Sequence, residues 1–254
     1  MKKYSTEISF HPLTVLYIAL SLILGRFSFV FALFAIALIH ELFHVFAARL
    51  FNLKISEIKI LPIGCYAKIS DLESIKRIEQ IIVLLIGPLS FFFTRAIITF
   101  LYRQDIISIY GFREYSEINL FMMIFNLLPI FPFDGGRILK IVLSSLISEN
   151  KSLIISSFIG LLSSIIFVLR LLNIGQYLFA IFIAFYALKN VICIKKDYKN
   201  FLIMRYISRE YERYKVKIND KKEIYRYAHN FYLIGNNIYP EEKIVENLLN
   251  NKYK

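Results

Sequence analysis

Two histidines four residues apart, with a glutamate beside the first, are the residues of this chain best suited to metal binding and catalysis. They form His40-Glu41-Leu42-Phe43-His44, inside an apolar run that predicts a helix from about Ser28 to Phe51. Side chains four apart share one face of a helix, so both imidazoles can reach one metal ion. This spacing is typical of a zinc site in which the glutamate is general base on a metal-bound water. The alternative is a helix-packing pair with Glu41 salt-bridged to a histidine.

The depth of the motif in its helix favours the metal interpretation. His40 lies near the middle of the run, about 18 Å from one end at about 1.5 Å per residue. Ionisable groups at the centre of a bilayer cost several kcal/mol and persist with a partner or a purpose. A packing pair does not explain three polar groups at that depth.

A third protein ligand is expected, because two histidines leave a zinc site one ligand short. The best candidate is Asp134, in Asn126-Leu127-Leu128-Pro129-Ile130-Phe131-Pro132-Phe133-Asp134-Gly135-Gly136. The two prolines break the helix, and the two glycines let the chain turn and resume it. The segment therefore predicts an unwound patch that aims a carboxylate at the metal. The alternative is a cytoplasmic turn in which Asp134 caps a helix.

The composition places the chain in the membrane class. Of its 254 residues 57% are hydrophobic, against about 45–50% in soluble domains. We predict an all-α polytopic membrane protein with six transmembrane helices. The runs are Pro12–Leu24, Ser28–Phe51, Glu79–Tyr102, a fourth from Ser116 that breaks at 128–132 and resumes over Gly136–Ile147, Leu153–Leu172, and Ile174–Ile194.

Lysine and arginine predict the orientation of these helices. They are concentrated between residues 52 and 78 and after residue 194, which predicts a cytoplasmic location for both ends of the chain. The net charge of +12 is explained by these flanks facing anionic lipid. The lipid bilayer is thus the expected partner of the basic residues, and no nucleic acid is expected.

Two segments outside the apolar runs have patterns of their own. Residues from Lys54 to Ser70 alternate in part with period two, which predicts a short membrane-associated strand or β-hairpin after the second helix. An ordinary loop is the alternative.

Residues 195–254 hold 14 Lys/Arg and 8 Asp/Glu, a net charge of +6. We therefore predict a six-span core over 1–194 and a basic cytoplasmic tail over 195–254 with amphipathic helices.

Three motifs together resemble the site-2 protease family of intramembrane zinc metalloproteases. They are the His40–His44 sequence, Gly87-Pro88-Leu89 in the third run, and the Asn126–Gly136 segment. The likeness covers about residues 10–210 and is nearest to the family's stage IV sporulation members. It implies that His40, His44 and Asp134 ligate Zn²⁺ and that Glu41 activates the water. It further implies that Asn126 contacts substrate or steadies the oxyanion, and that Gly87-Pro88 shapes the third helix near the site.

The resemblance also implies partners and a location. The expected reaction is hydrolysis of a peptide bond in a membrane-tethered regulatory protein, for the sporulation type an inactive sigma factor precursor. Membrane inhibitor or regulator proteins and a homo-oligomer are further expected partners. The expected location is the mother-cell membrane around the forespore.

The tail departs from the sporulation type. Those members commonly carry a nucleotide-sensing CBS domain, and here Lys217–Ile238 resembles only the start of one, as a truncated remnant. Two non-proteolytic functions remain as alternatives: a metal-binding membrane transporter and a non-catalytic membrane scaffold.

Overall fold

The computed structural model describes residues 7–10, 12–61, 64–69, 72–173, 177–208, 216–219, 223–234 and 237–250. The chain forms two compact units, Met1–Leu127 and Leu128–Lys254.

The described part of the first unit contains four α-helices. These are α1 (Pro12–Ile23), α2 (Phe27–Leu50), α3 (Arg77–Arg103) and α4 (Ile109–Asn126). Both α2 and α3 are long and apolar enough to cross a membrane, and both lie within two residues of their predicted bounds. Asn52 ends α2 with a φ of 58°, a left-handed conformation that asparagine tolerates. Buried side chains of α2 pack against Ile118 of α4.

A three-stranded sheet belongs to the same unit. Its strands are β1 (Glu7–Phe10), β2 (Ile55–Leu61) and β3 (Gly64–Ile69), with β1 parallel and β3 antiparallel to β2. The predicted hairpin is confirmed, and the ordinary-loop alternative is wrong; Pro62 and Ser70 lie outside the described residues. The strand β1 was not predicted. Ile55 of β2 packs against Val45 of α2, so the sheet lies beside the helix that carries the histidine pair.

The second unit begins with the proline-containing segment and continues as three helices. These are α5 (Asp134–Leu146), α6 (Glu149–Asn173) and α7 (Tyr177–Ser208). The predicted break is confirmed, since α4 ends at Asn126 and the next helix starts at Asp134. The helix α6 is long and apolar enough to cross a membrane. By length and composition, three helices of the described chain meet that standard.

The tail contains a second small sheet that was not predicted, within a fold that is otherwise mostly helical. Strands β4 (Val216–Asn219), β5 (His229–Ile234) and β6 (Asn237–Pro240) precede α8 (Glu241–Asn250). β4 is parallel to β5, and β6 is antiparallel to it. One side of this sheet packs on helices in a core made of Phe201, Leu202, Ile224, Tyr232, Ile244 and Val245. Two of these strands have only four residues, too few for alternation to be visible in a sequence.

Candidate functional site

Three side chains that were predicted as metal ligands lie together and are buried. The candidate ligand atoms of His40, His44 and Asp134 are all within 4.8 Å of one another. Their relative exposures are 4%, 5% and 7%. Two imidazole nitrogens and a carboxylate oxygen are a ligand set that suits one zinc ion.

The two imidazoles of α2 converge on one point. Nε2 of His44 lies 3.1 Å from Nε2 of His40, and the rings meet edge to face at 83°. Two nitrogens bound at about 2.0–2.1 Å to a tetrahedral zinc ion would be about 3.3 Å apart. The pair of nitrogens therefore fits one edge of such a coordination sphere, and the carboxylate of Asp134 offers an oxygen ligand.

The other ring nitrogen of His44 is held by α3. Nδ1 lies 2.7 Å from the carbonyl oxygen of Val83, which can only accept, so Nδ1 carries the proton and donates. That tautomer leaves the Nε2 lone pair available to a metal. A hydrogen bond from the second nitrogen to a carbonyl is the usual way in which proteins orient a metal-binding histidine.

Gly87 provides the space that the His44 ring occupies. A Cβ atom at this position would lie 2.1 Å from Nε2 and 2.3 Å from Cε1 of His44. Contacts that short do not occur, so any larger residue would displace the imidazole or the helix. The resemblance implied that Gly87 shapes the third helix near the site. In the structure, Gly87 lies directly against the imidazole ring of His44.

Asp134 is the first residue of α5. The N-cap residue is Phe133, whose side chain makes no capping bond, so Asp134 does not stand at the N-cap as the turn alternative supposed. A carboxylate in the first turn is favoured by the helix dipole. The position of Asp134 depends on how the preceding segment, residues 128–133, is held.

Two glycines let this segment lie close to helices. A Cβ at Gly136 of α5 would lie 2.3 Å from the carbonyl carbon of Ile130, and one at Gly160 of α6 would lie 2.8 Å from the carbonyl oxygen of Pro129. In both cases the obstacle is backbone, which cannot rotate away. These close approaches fix the path of the chain into Asp134.

Asn190 of α7 makes a third contact with the segment. Its Nδ2 donates to the carbonyl oxygen of Phe131 at 2.8 Å, three residues before Asp134. Sequence reasoning missed Asn190, although an amide within an apolar run is a signal that could have drawn attention to it. It missed the Val83 carbonyl as well, which has no side-chain signature.

The two remaining predicted residues are Glu41 on α2 and Asn126 on α4. Glu41 is half-buried and precedes His44 by three residues, a spacing that makes helical neighbours. Asn126, the last residue of α4, is also half-buried, and its Nδ2 donates to the carbonyl oxygen of Met122 at 3.0 Å. That bond is one any helical asparagine can form, so its role towards substrate stays a prediction.

Comparison with known proteins gives a family. The profile described as peptidase family M50 matches residues 28–106 and 102–169, a stretch that contains every predicted site residue. A solved structure, the site-2 protease from Methanocaldococcus jannaschii, superposes with a TM-score of 0.54 at 30% identity. The match covers 72% of this chain and 90% of that chain.

Two curated proteins are similar in sequence. Stage IV sporulation protein FB of Bacillus subtilis (strain 168) is 30% identical over 146 residues, which is 58% of this chain and 51% of the relative. A zinc metalloprotease of Methanocaldococcus jannaschii is 33% identical over 159 residues, 60% of this chain and 46% of the relative. The chain spans about half the length of the curated relatives that it matches. The resemblance stated from the motifs is confirmed at the level of the family.

Proposed function

Because the chain belongs to peptidase family M50, the site-2 protease family, we propose that it is an intramembrane zinc metalloprotease. The observation that carries the proposal is the buried group of His40, His44 and Asp134 with converging ligand atoms. These three residues would hold the metal. Glu41 is the general base.

Each side chain has a separate task in peptide-bond hydrolysis. When bound, zinc supplies a Lewis acid that lowers the pKa of water towards about 7 and polarises a carbonyl. Glu41 takes the proton from the attacking water and returns it to the leaving amine nitrogen, as base and then acid. Asn126 donates a side-chain N–H to the substrate or to its developing oxyanion.

The chain's own polar contacts hold these groups in place before substrate arrives. The Nδ1–H bond from His44 to Val83 keeps the ring in one tautomer. Gly87 leaves the ring its space, and the contacts on residues 128–133 fix the start of α5. Preorganised groups of this kind lose little free energy to reorientation during the reaction.

The proposed setting is a six-span membrane core over 1–194 with a cytoplasmic basic tail over 195–254. Both ends and the β2–β3 hairpin lie on the cytoplasmic side, which the lysines and arginines of those segments support. An extended substrate segment pairs with the outer edge of β3, whose other edge is bonded to β2.

The proposed substrate is a membrane-associated regulatory protein, and specifically an inactive sigma factor precursor cut during sporulation. The similarity to stage IV sporulation protein FB supports this assignment. The proposed location is the mother-cell membrane around the forespore, and the proposed partners are membrane regulators and further copies of the chain.

Coexpression with a candidate sigma precursor tests the proposed function. Glu41→Gln keeps the shape of the side chain and removes the base, so cleavage should fall by at least about 100-fold while zinc stays bound. Immunoblots of the precursor and metal analysis of the purified enzyme measure the two quantities. Normal cleavage by Glu41→Gln would rule out the mechanism, and cleavage-independent metal transport that survives the change would favour a transporter.

A further inference from the structure

Glu149, the first residue of α6, is a completely buried carboxylate that the reaction does not use. Nε of Arg226 donates to its Oε2 at 2.9 Å and Nη2 to its Oε1 at 2.6 Å. Nζ of Lys140 on α5 lies 3.6 Å from Oε1. The backbone N–H of Glu149 donates to the carbonyl oxygen of Ile224 at 2.9 Å. A carboxylate with 0% exposure persists only with paired charge and satisfied hydrogen bonds.

These bonds join three parts of the second unit. Lys140 belongs to α5, Glu149 to α6, and Ile224 and Arg226 to the segment between β4 and β5. We call Lys140, Glu149 and Arg226 the Glu149 clamp. It ties the tail to the corner where α5 meets α6.

Buried serines hold the same corner. Oγ of Ser144 donates to the carbonyl oxygen of Lys140 at 2.7 Å, and Oγ of Ser152 donates to it at 3.2 Å. The two hydroxyl oxygens are 2.9 Å apart. The buried Ser152 hydroxyl therefore connects the start of α6 to the second half of α5.

Arg226 is itself held by the rest of the tail. Its guanidinium lies over the ring of Phe201, 4.8 Å from the centroid, and its carbonyl oxygen accepts from Nη1 of Arg205. Arg205 also donates to both carboxylate oxygens of Glu241, at 2.7 and 3.1 Å. The clamp is thus the end of a charged network that runs through the core of the tail.

We propose that the Glu149 clamp positions Asp134, so that the docked tail is required for tight metal binding; this rests on the proposed function. α5 has 13 residues, begins at Asp134, and carries Lys140 about 9 Å further along its axis. A short helix moves as one rod, so release of its second half lets its first residue shift. Residues outside a metal's ligands that orient those ligands change metal affinity by about 10–100-fold.

A purely structural role makes a different prediction. Removal of the clamp would then lower the stability of the tail and leave the zinc affinity of the folded protein unchanged. Zinc affinity and tail docking must therefore be measured separately, on the same purified full-length protein.

Arg226→Lys is the principal variant, because it keeps the charge and loses the paired hydrogen bonds. Competitive titration of zinc against a chromophoric chelator measures the zinc Kd, and the visible spectrum of the cobalt-substituted protein reports the ligand geometry. Limited proteolysis reports docking of the tail. We expect Arg226→Lys to weaken zinc binding by about 10–100-fold and to alter the cobalt spectrum.

Two further variants complete the experiment. Lys151→Ala removes a 2.7 Å ion pair between Lys151 and Glu223, which also joins α6 to the tail. The Lys151 side chain is 57% exposed, so the pair contributes little and the zinc affinity should not change. Glu149→Met with Arg226→Met replaces the buried charge pair by two apolar side chains of similar volume and should restore tail docking and zinc affinity.

The possible outcomes separate this proposal from the proposed function. Zinc binding by Arg226→Lys as tight as that of the wild type, with a looser tail, would overturn the positioning role alone. A weaker zinc affinity in Lys151→Ala equal to that in Arg226→Lys would also overturn it. A wild-type protein that binds no zinc would overturn the proposed function and this proposal with it.

Discussion

His44 takes its orientation from two features of α3. The Val83 carbonyl fixes the proton on Nδ1, and Gly87 leaves the space in which the ring lies. Nε2 then points towards Nε2 of His40. The histidine pair thus depends on a helix that contributes no ligand of its own.

Gly87→Ala tests the steric part of this account. The added methyl group would overlap the imidazole of His44, so the ring must leave its position and zinc affinity should fall by at least about tenfold. Gly111→Ala is the matched control, because a Cβ there meets nothing nearer than 3.7 Å. Chelator competition measures both. Equal affinities in the two variants would mean that Gly87 does not support the histidine.

At the residue scale, the sequence predicts which side chains form the candidate site better than it predicts the groups that hold them in position. The spacing of His40 and His44 is readable because a helix has a fixed period. Asp134 is readable because prolines and glycines mark an interruption of the helix. The Val83 carbonyl is not readable, since every residue has one, and its role depends on how two helices pack.

At the scale of elements, the segment over residues 128–133 is held from three helices. Gly136 and Gly160 allow the close backbone approaches, and Asn190 donates to the Phe131 carbonyl. The three contacts explain how an irregular stretch with two prolines keeps one path into α5.

Asn190→Leu tests the contact from α7. It removes the donor to Phe131, which should cost about 1 kcal/mol of stability and also weaken zinc binding, because the path into Asp134 relaxes. Ser163→Ala is a suitable control, since the Ser163 hydroxyl donates to carbonyls of its own helix. Thermal unfolding and zinc titration provide the two readouts. An Asn190→Leu protein that loses stability but keeps the wild-type zinc Kd would limit Asn190 to a packing role.

The core of the tail predicts a loss of stability at high pH. Burial, then Glu149, Glu223 and Glu241, raise the pKa of Tyr198 to about 12, and burial and Glu241 also raise the pKa of Tyr232. An acid whose pKa is higher when folded stabilises the fold below its unfolded value, about 10. That stability is lost as the pH rises from about 10 through the folded pKa.

Proteolysis of the tail across that pH range checks this expectation. The tail should become susceptible between about pH 10 and 12. Tyr198→Phe keeps the ring and removes the titrating hydroxyl, so its loss of stability should be shallower. Identical profiles for the wild type and Tyr198→Phe would show that Tyr198 ionisation does not drive the opening.

The elements themselves were predictable in proportion to their length. Helices α2 and α3 follow long apolar runs, and the β2–β3 hairpin follows an alternating segment between turn residues. The strands β1 and β4 have four residues each, and β1 pairs with a strand about 50 residues away. Such pairings are set by tertiary packing, which local patterns do not encode.

At the scale of the whole molecule, the chain combines apolar helices with a buried polar site and a folded, charged tail. The candidate metal ligands come from residues separated by about 90 positions in the sequence, yet their atoms lie within 4.8 Å. The sequence motifs predicted this grouping. The tail's charge was also visible in the sequence, but the buried clamp that connects it to α5 was not, because the partners of a charged residue are set by the fold.

Zinc content of the purified protein tests the central claim most directly. Elemental analysis should find about one zinc per chain in the wild type and a large loss of zinc in Asp134→Ala. The removal of a ligand should weaken the zinc affinity by at least about 100-fold. Asp197→Ala, which changes an exposed carboxylate of α7, should retain zinc. Unchanged zinc content in Asp134→Ala would contradict the three-ligand site and the account built on it.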